Sequence, residues 1–326
     1  MNLRKFGKIG WNVSEIGLGC WAIGSEWGDV SSEDAKEVLK TSLDHGVNFF
    51  DTADVYGDGR SEKFLGQLLN STSERIYVAT KSGRRLNPHT AEGYNLKNIE
   101  DFIDRSLINI GVDCIDLLQL HCPPSEICSK KETYDMMDEI VKKGKIANYG
   151  VSVEKVSEAM EAIKYPNVKS IQIIFNIFRQ KPLEVFFEEA AKNNVAIIAR
   201  VPLASGLLTG KMHKYSSFPK NDHRNYNING DAFDIGETFS GVDYERGLEV
   251  VELLKEIVPD DFTLSDLALK WILMHEEVSV VIPGAKNSEQ VIKNTLSSSL
   301  PNINDLMEKI EGIYNSYLKN NIHSRW

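Results

Sequence analysis

The chain has 326 residues, 42% hydrophobic and 26% charged, a folded-protein make-up that excludes disorder and collagen-like structure. Lysine and arginine total 37 against 47 acidic residues, and the net charge of −10 argues against broad binding to nucleic acid or acidic membranes. The longest apolar stretch, Val195 to Leu208, is cut by Arg200 and Pro202, which leaves no ~20-residue bilayer span. The opening MNLRKFGKIG is basic but lacks an apolar core, so no secretory signal is expected. Cys20, Cys114, Cys122 and Cys128 are too few for a disulfide framework, and free thiols fit a cytoplasmic location.

In chain order, Leu3–Phe6 and Trp11–Val13 read as a hairpin across Gly7 and Gly10, suited to plugging the bottom of a barrel. Short apolar runs then predict strands at Glu15–Leu18, Val47–Phe50, Ile76–Thr80, Ile115–Leu120, Ile146–Val151, Ile171–Phe175, Val195–Ala199 and Ser279–Ile282. Helical stripes lie between them. The first is Ala35, Val38, Leu39, Ser42 and Leu43, with Ser31 or Ser32 as N-cap. Others run through Phe64–Leu69, Ile99–Leu107 and Val156–Ile163. Strand followed by helix, repeated through the chain, predicts an α/β fold, a (β/α)8 TIM barrel occupying 1–326 as one domain. The rival, an open sheet with a second domain, needs a linker that no Pro/Gly/Ser tract supplies. A long insertion, Ala204 to His275, precedes the last strand. It holds a polar loop, Lys220 to Thr238, expected to pack weakly, and helices at Tyr244–Ile257 and Leu264–Met274.

Reactive groups of such barrels cluster at the C-terminal ends of the strands. Those ends offer Trp21, Asp51, Lys81, His121, Ser152, Asn176 and Arg200, with Tyr56 five residues past Asp51. Asp, Lys, His and Tyr together point to proton transfer. A free phenol, pKa ~10, is a poor acid or base at neutral pH. A buried ammonium beside it is expected to lower that pKa, and a carboxylate would orient the ammonium. A histidine can donate a hydrogen bond to a substrate oxygen. Trp21 and Trp27 could line an apolar substrate pocket or simply pack together. Asp54 reads as an ordinary loop carboxylate or a contact for a polar substrate. His121, Cys122 and Cys128 are too few for a zinc site.

The segment DTADVYGDGRSEKFLG (Asp51–Gly66) resembles the second-strand signature of the aldo-keto reductase superfamily. ATKSG (Ala79–Gly83), DLLQLHCP (Asp116–Pro123), YGVS (Tyr149–Ser152), PLASGLLTGK (Pro202–Lys211) and IPGAKNSEQVIKN (Ile282–Asn294) match in order. The resemblance implies a catalytic tetrad of Asp51, Tyr56, Lys81 and His121. Tyr56 would be the general acid in reduction, and His121 would also orient the substrate carbonyl. It further implies metal-free transfer of the 4-pro-R hydride of NADPH, with NADH as a second candidate.

No Rossmann fingerprint is present, since Glu62 stands where Gly57-Asp58-Gly59 would need a third glycine. The resemblance instead places cofactor contacts at Asp51, Ser152, Gln172, Arg200, Leu203, Ser205, Gly206, Leu207, Lys211, Gly284, Lys286, Gln290 and Asn294. Three departures stand out. Val153 replaces a common Asn, Gln290 replaces a common 2′-phosphate Arg, and Arg200 stands where an aromatic ring often lies. The implied partner is a small carbonyl or alcohol. Its identity, the reaction direction and the oligomeric state stay open. The rivals are a Schiff-base lyase or aldolase using Lys81 and a non-catalytic nicotinamide-binding sensor or accessory subunit.

Overall fold

The structure is a computed structural model describing residues 1–24 and 27–326. Strands β1 (Leu3–Phe6) and β2 (Trp11–Ser14) form the expected antiparallel hairpin. Eight parallel strands follow: β3 (Leu18–Gly19), β4 (Phe49–Asp51), β5 (Tyr77–Ser82), β6 (Leu117–His121), β7 (Tyr149–Ser152), β8 (Val168–Ile174), β9 (Ala196–Arg200) and β10 (Val278–Val281). Each pairs with its neighbours in sequence order. Bridges from Ile16 to Val281 and from Gly19 to Gly284 return β10 to β3, closing the (β/α)8 barrel.

Alternation along each strand sorts the barrel into an inner and an outer layer. Phe49, Ala79, Leu117, Ala196, Ile198 and Val280 share a small inner cluster with Phe6 and Val13 of the hairpin. Their neighbours Phe50, Val78, Leu118, Ile197 and Val281 belong to the larger core under the helices. The hairpin therefore seals the bottom of the barrel. Gly7, at φ +46°, makes that seal close: a Cβ there would lie 2.5 Å from the Ala196 nitrogen. The same parity turns Asp51, Lys81 and Gln119, two residues further up β4, β5 and β6, and His121, four residues up β6, inward at the opposite end.

The first barrel helix, Ser32–Asp44, starts where Ser31 accepts from the Asp34 N–H at 3.0 Å, and buries Ala35, Val38, Leu39 and Ser42. The helices Tyr244–Lys255 and Leu264–Leu273 of the insertion form as read from the sequence. The expectation of weak packing from Lys220 to Thr238 is corrected in part: residues that frame the loop are packed, while 228–232 stays exposed or half-buried. Asp222 is buried and ion-paired to Arg224 at 2.7 Å. The Asn227 side-chain Oδ1 accepts from the N–H groups of Ala232 and Phe233 at 2.9 Å each, and its Nδ2 donates to the Thr238 hydroxyl at 3.1 Å. Polar residues that read as solvated loop are the loop's internal hydrogen-bond frame.

Candidate active site

Tyr56 sits on the turn between β4 and the helix Arg60–Ser71. That turn is pressed against the loop after β3. A Cβ on Gly24 would lie 2.8 Å from the Tyr56 Cβ, and one on Gly57 (φ +59°) would lie 2.5 Å from the Gly24 carbonyl oxygen. Two glycines at one contact let the turn close and fix the phenol over the barrel mouth.

Beneath it, the Lys81 Nζ ion-pairs with Asp51, donates to the Thr52 carbonyl at 2.8 Å, and reaches the Tyr56 Oη at 3.5 Å. Lys81 is 1% and Asp51 2% exposed, so this pair is held without water. The second Asp51 oxygen accepts from Gln119 at 3.0 Å and Gln172 at 2.7 Å. Gln119 was not among the expected site residues, although it stands two residues before His121 on the same strand face. The His121 ring lies edge-on to Tyr56, centroids 6.0 Å apart.

The expected lowering of the Tyr56 pKa is not what the structure gives. Burial and the nearby Asp51 charge push the phenol well above its ordinary value, outweighing the pull of Arg84 and Arg200. Tyr56 is therefore a protonated donor at neutral pH. Burial, then Arg84 and Lys81, holds His121 well below its usual range, so the imidazole is neutral. Its Nδ1 is shut away without a hydrogen-bond partner among the described residues, so a proton on Nε2 is the one it can offer a ligand.

A cavity of about 830 Å3 opens over these groups. It is lined by Trp21, Trp27, Asp51, Tyr56, His121, Ser152, Gln172, Arg200, Leu203, Ser205, Gly206, Lys211, Gly284, Lys286, Gln290 and Asn294, all expected site residues. Lys81 lies below its floor. Leu207 is a departure: fully buried, it packs into the core against Gly247 rather than lining the cleft. Asp54 is also buried away from the cavity, and neither carboxylate oxygen has a partner among the described residues. Trp21 and Trp27 pack edge to face, centroids 5.7 Å apart, and line the cleft as well.

Ser152 donates to the Gln172 side chain at 3.2 Å, so these two act as a connected pair beside Asp51. Lys286 donates to the Trp27 carbonyl, and its backbone N–H is held by the Gln290 side chain at 2.8 Å. Asn294 donates to the Gly284 carbonyl at 3.3 Å. Past β9, Val201, Ala204 and Ser205 have φ of +54°, +46° and +53°, a left-handed run costing about 1–3 kcal/mol per residue. It ends at Gly206 (φ +99°), a backbone position that favours glycine. Lys211, Lys286, Lys293 and Arg224 line the same cleft; the Gly284 backbone is open to it, while the Met212 and Arg224 side chains stand over Gly206. Cations beside uncovered backbone fit a dinucleotide's phosphates.

Arg200, at the end of β9, is buried in an unforeseen ion-pair ring. The Glu154 carboxylate bridges Arg84 and Arg200, each at 3.1 Å, and the Glu237 carboxylate bridges the same two at 3.4 and 2.5 Å. Glu237 belongs to the long insertion, so the ring ties that loop to the ends of β5, β7 and β9.

Comparison with known proteins agrees with this geometry. The Aldo/keto reductase family model matches residues 15–315. An aldo-keto reductase of Schizosaccharomyces pombe whose name specifies NADP(+) is 29% identical, with 89% of this chain and 85% of that one covered. A probable voltage-gated potassium channel subunit beta of Arabidopsis thaliana is 30% identical, with 90% of each chain covered. The holo form of an aldo-keto reductase from Bacillus halodurans superposes with a TM-score of 0.75 at 26% identity, covering 96% of both chains. The chain belongs to the aldo/keto reductase family and is an NAD(P)H-dependent oxidoreductase.

Proposed function

We propose that the protein reduces an aldehyde or ketone to the alcohol with NADPH, Tyr56 delivering the proton. The observation that carries this reading is the Asp51–Lys81–Tyr56 chain at the cavity floor, with neutral His121 edge-on to the phenol. The Tyr56 oxygen accepts from Lys81, which leaves its own O–H to be given to a substrate oxygen. As that proton leaves, negative charge grows on the phenol oxygen, and the fixed ammonium 3.5 Å away offsets it. Asp51 holds the ammonium, and Gln119 and Gln172 hold Asp51. His121, neutral, can donate to the same substrate oxygen and fix the carbonyl. The nicotinamide supplies the hydride when bound. Ser152 and Gln172 are the residues to hold its carboxamide, the 203–206 backbone and Lys211 its pyrophosphate, and Lys286, Gln290 and Asn294 its adenosine end.

The Schiff-base alternative is disfavoured by the same chain. All three Lys81 donors face oxygens, of Asp51, Thr52 and Tyr56, so no lone pair is offered to a carbonyl carbon. The relationship to a named channel subunit favours a binding role as a second reading. NADPH oxidation measured across aldehydes, aldoses and diketones decides between them. Turnover on some carbonyl supports the reductase, and cofactor binding without turnover on any supports the second.

A further inference from the structure

We propose that Arg84 anchors the substrate, and that the substrate class is a carbonyl compound carrying a carboxylate. This rests on the carbonyl-reductase reading above. Gly83, at φ +122° against the Tyr94 ring, turns the chain out of β5, so Arg84 stands on the cavity wall with Tyr56 and His121.

The two arginines of the ring differ. The Arg200 side chain is 8% exposed and its Nε is sealed off; that of Arg84 is 21% exposed. Among the described residues Arg84 uses only its Nη2, on Glu154 and Glu237. Among the described residues its Nε and Nη1 have no hydrogen-bond partner, and neither is among the sealed atoms, so on the cavity wall they are open to a ligand. A guanidinium with idle donors beside the reacting groups is a ready acceptor site for an anion.

The surrounding charge chooses the anion. Two glutamates cancel two arginines in the ring, so it presents donors without a surplus of positive charge. A carboxylate, with one negative charge, can use those donors. A phosphate dianion loses far more hydration on entering, and a ring without surplus positive charge does not offset that loss. Arg84 lines the same cavity as Tyr56 and His121, and its guanidinium stands over the Phe233 ring, 5.7 Å from the centroid. Trp21 and Phe233 are there to cover the carbon chain.

The test compares ω-oxo acids of four and five carbons with the matching unsubstituted aldehydes. Wild-type kcat/KM should favour the acids by about tenfold to a hundredfold, carried by KM, the range for one charge-assisted hydrogen bond. Arg84→Gln should erase that ratio, and Arg84→Lys should restore part of it. Butanoate should also quench Trp21 and Trp27 fluorescence at lower concentration than butanamide, and Arg84→Gln should remove the difference. That arm needs no turnover. Reduction of the neutral aldehydes with no preference for the acids, and equal binding of butanoate and butanamide, would overturn the anchor while leaving the reductase reading intact. Arg84-dependent butanoate binding without reduction of any carbonyl would do the reverse.

Discussion

Glu237 reaches from the insertion between β9 and β10 to within 2.5 Å of the Arg200 guanidinium at the end of β9. Both side chains are buried, at 7% and 8% exposure. Removing Glu237 leaves Arg84 and Arg200 sharing the one Glu154 carboxylate, and breaking a buried pair in this way costs up to about 3–5 kcal/mol. Glu237→Gln should lose stability of that order in urea unfolding and should open the 220–238 loop to proteases that spare the wild type. A change within about 0.5 kcal/mol, the usual effect of a surface substitution, would show the pair to be ornamental.

Asp54 makes stability depend on pH. Burial, then Glu62, pushes its carboxyl from its ordinary 3.8 up to about 7, against weaker pulls from Arg85 and Arg105. A raised carboxyl keeps its proton in the folded state while the unfolded chain has lost it, so stability falls as pH rises from about 4 to 7. A rise of that size corresponds to roughly 4 kcal/mol. Subtracting the stability of Asp54→Asn from that of the wild type should give a difference that falls by this order from pH 4 to pH 8. A flat difference would mean that Asp54 is hydrated or paired in solution.

The barrel was legible because parallel strands carry apolar residues on both faces, and all eight runs became strands. Several ends were read short because the site residues themselves break the apolar pattern. Val47–Phe50 is observed as Phe49–Asp51, Ile115–Leu120 as Leu117–His121, and Val195–Ala199 as Ala196–Arg200. Lys169 and Ser170 hid the start of β8 in the same way. The four ring residues 84, 154, 200 and 237 share no period, so nothing in the sequence announced that they meet. The sign of the Tyr56 shift was misjudged because burial, which spacing does not report, outweighs its neighbours' attraction.

Lys286 offers the clearest handle on the cofactor. Its ammonium is held by the Trp27 carbonyl, and a 2′-phosphate would have to replace that contact. NADPH should therefore bind more tightly than NADH by a modest factor, from one charge-assisted contact of about 1.5–3 kcal/mol. Fluorescence titration should show the preference collapsing in Lys286→Met. Tighter NADH binding by the wild type would count against the assignment.

Neither reacting side chain should titrate in the physiological range. Burial holds the Tyr56 phenol above pH 10 and keeps the His121 imidazole well below 6.5. Between pH 6 and 9, kcat for reduction should be level, apart from any step near 7 that Asp54→Asn removes. An ionisation in this range that persists in Asp54→Asn would place a charged His121 or an ionised Tyr56 in the working enzyme.

The central claim is that the Tyr56 hydroxyl delivers the proton, and Tyr56→Phe tests it most directly. The substitution keeps the ring against Trp21, whose centroid lies 6.0 Å away, and removes only the transferable proton. Unfolding and NADPH titration should match the wild type, because the proposed phosphate contacts lie elsewhere in the cleft. Single-turnover NADPH oxidation with a carbonyl that the wild type reduces should slow by at least ~10²–10⁴, the usual loss for a positioned acid. A folded, NADPH-binding Tyr56→Phe protein with near-normal turnover would contradict the account and make His121 the proton donor.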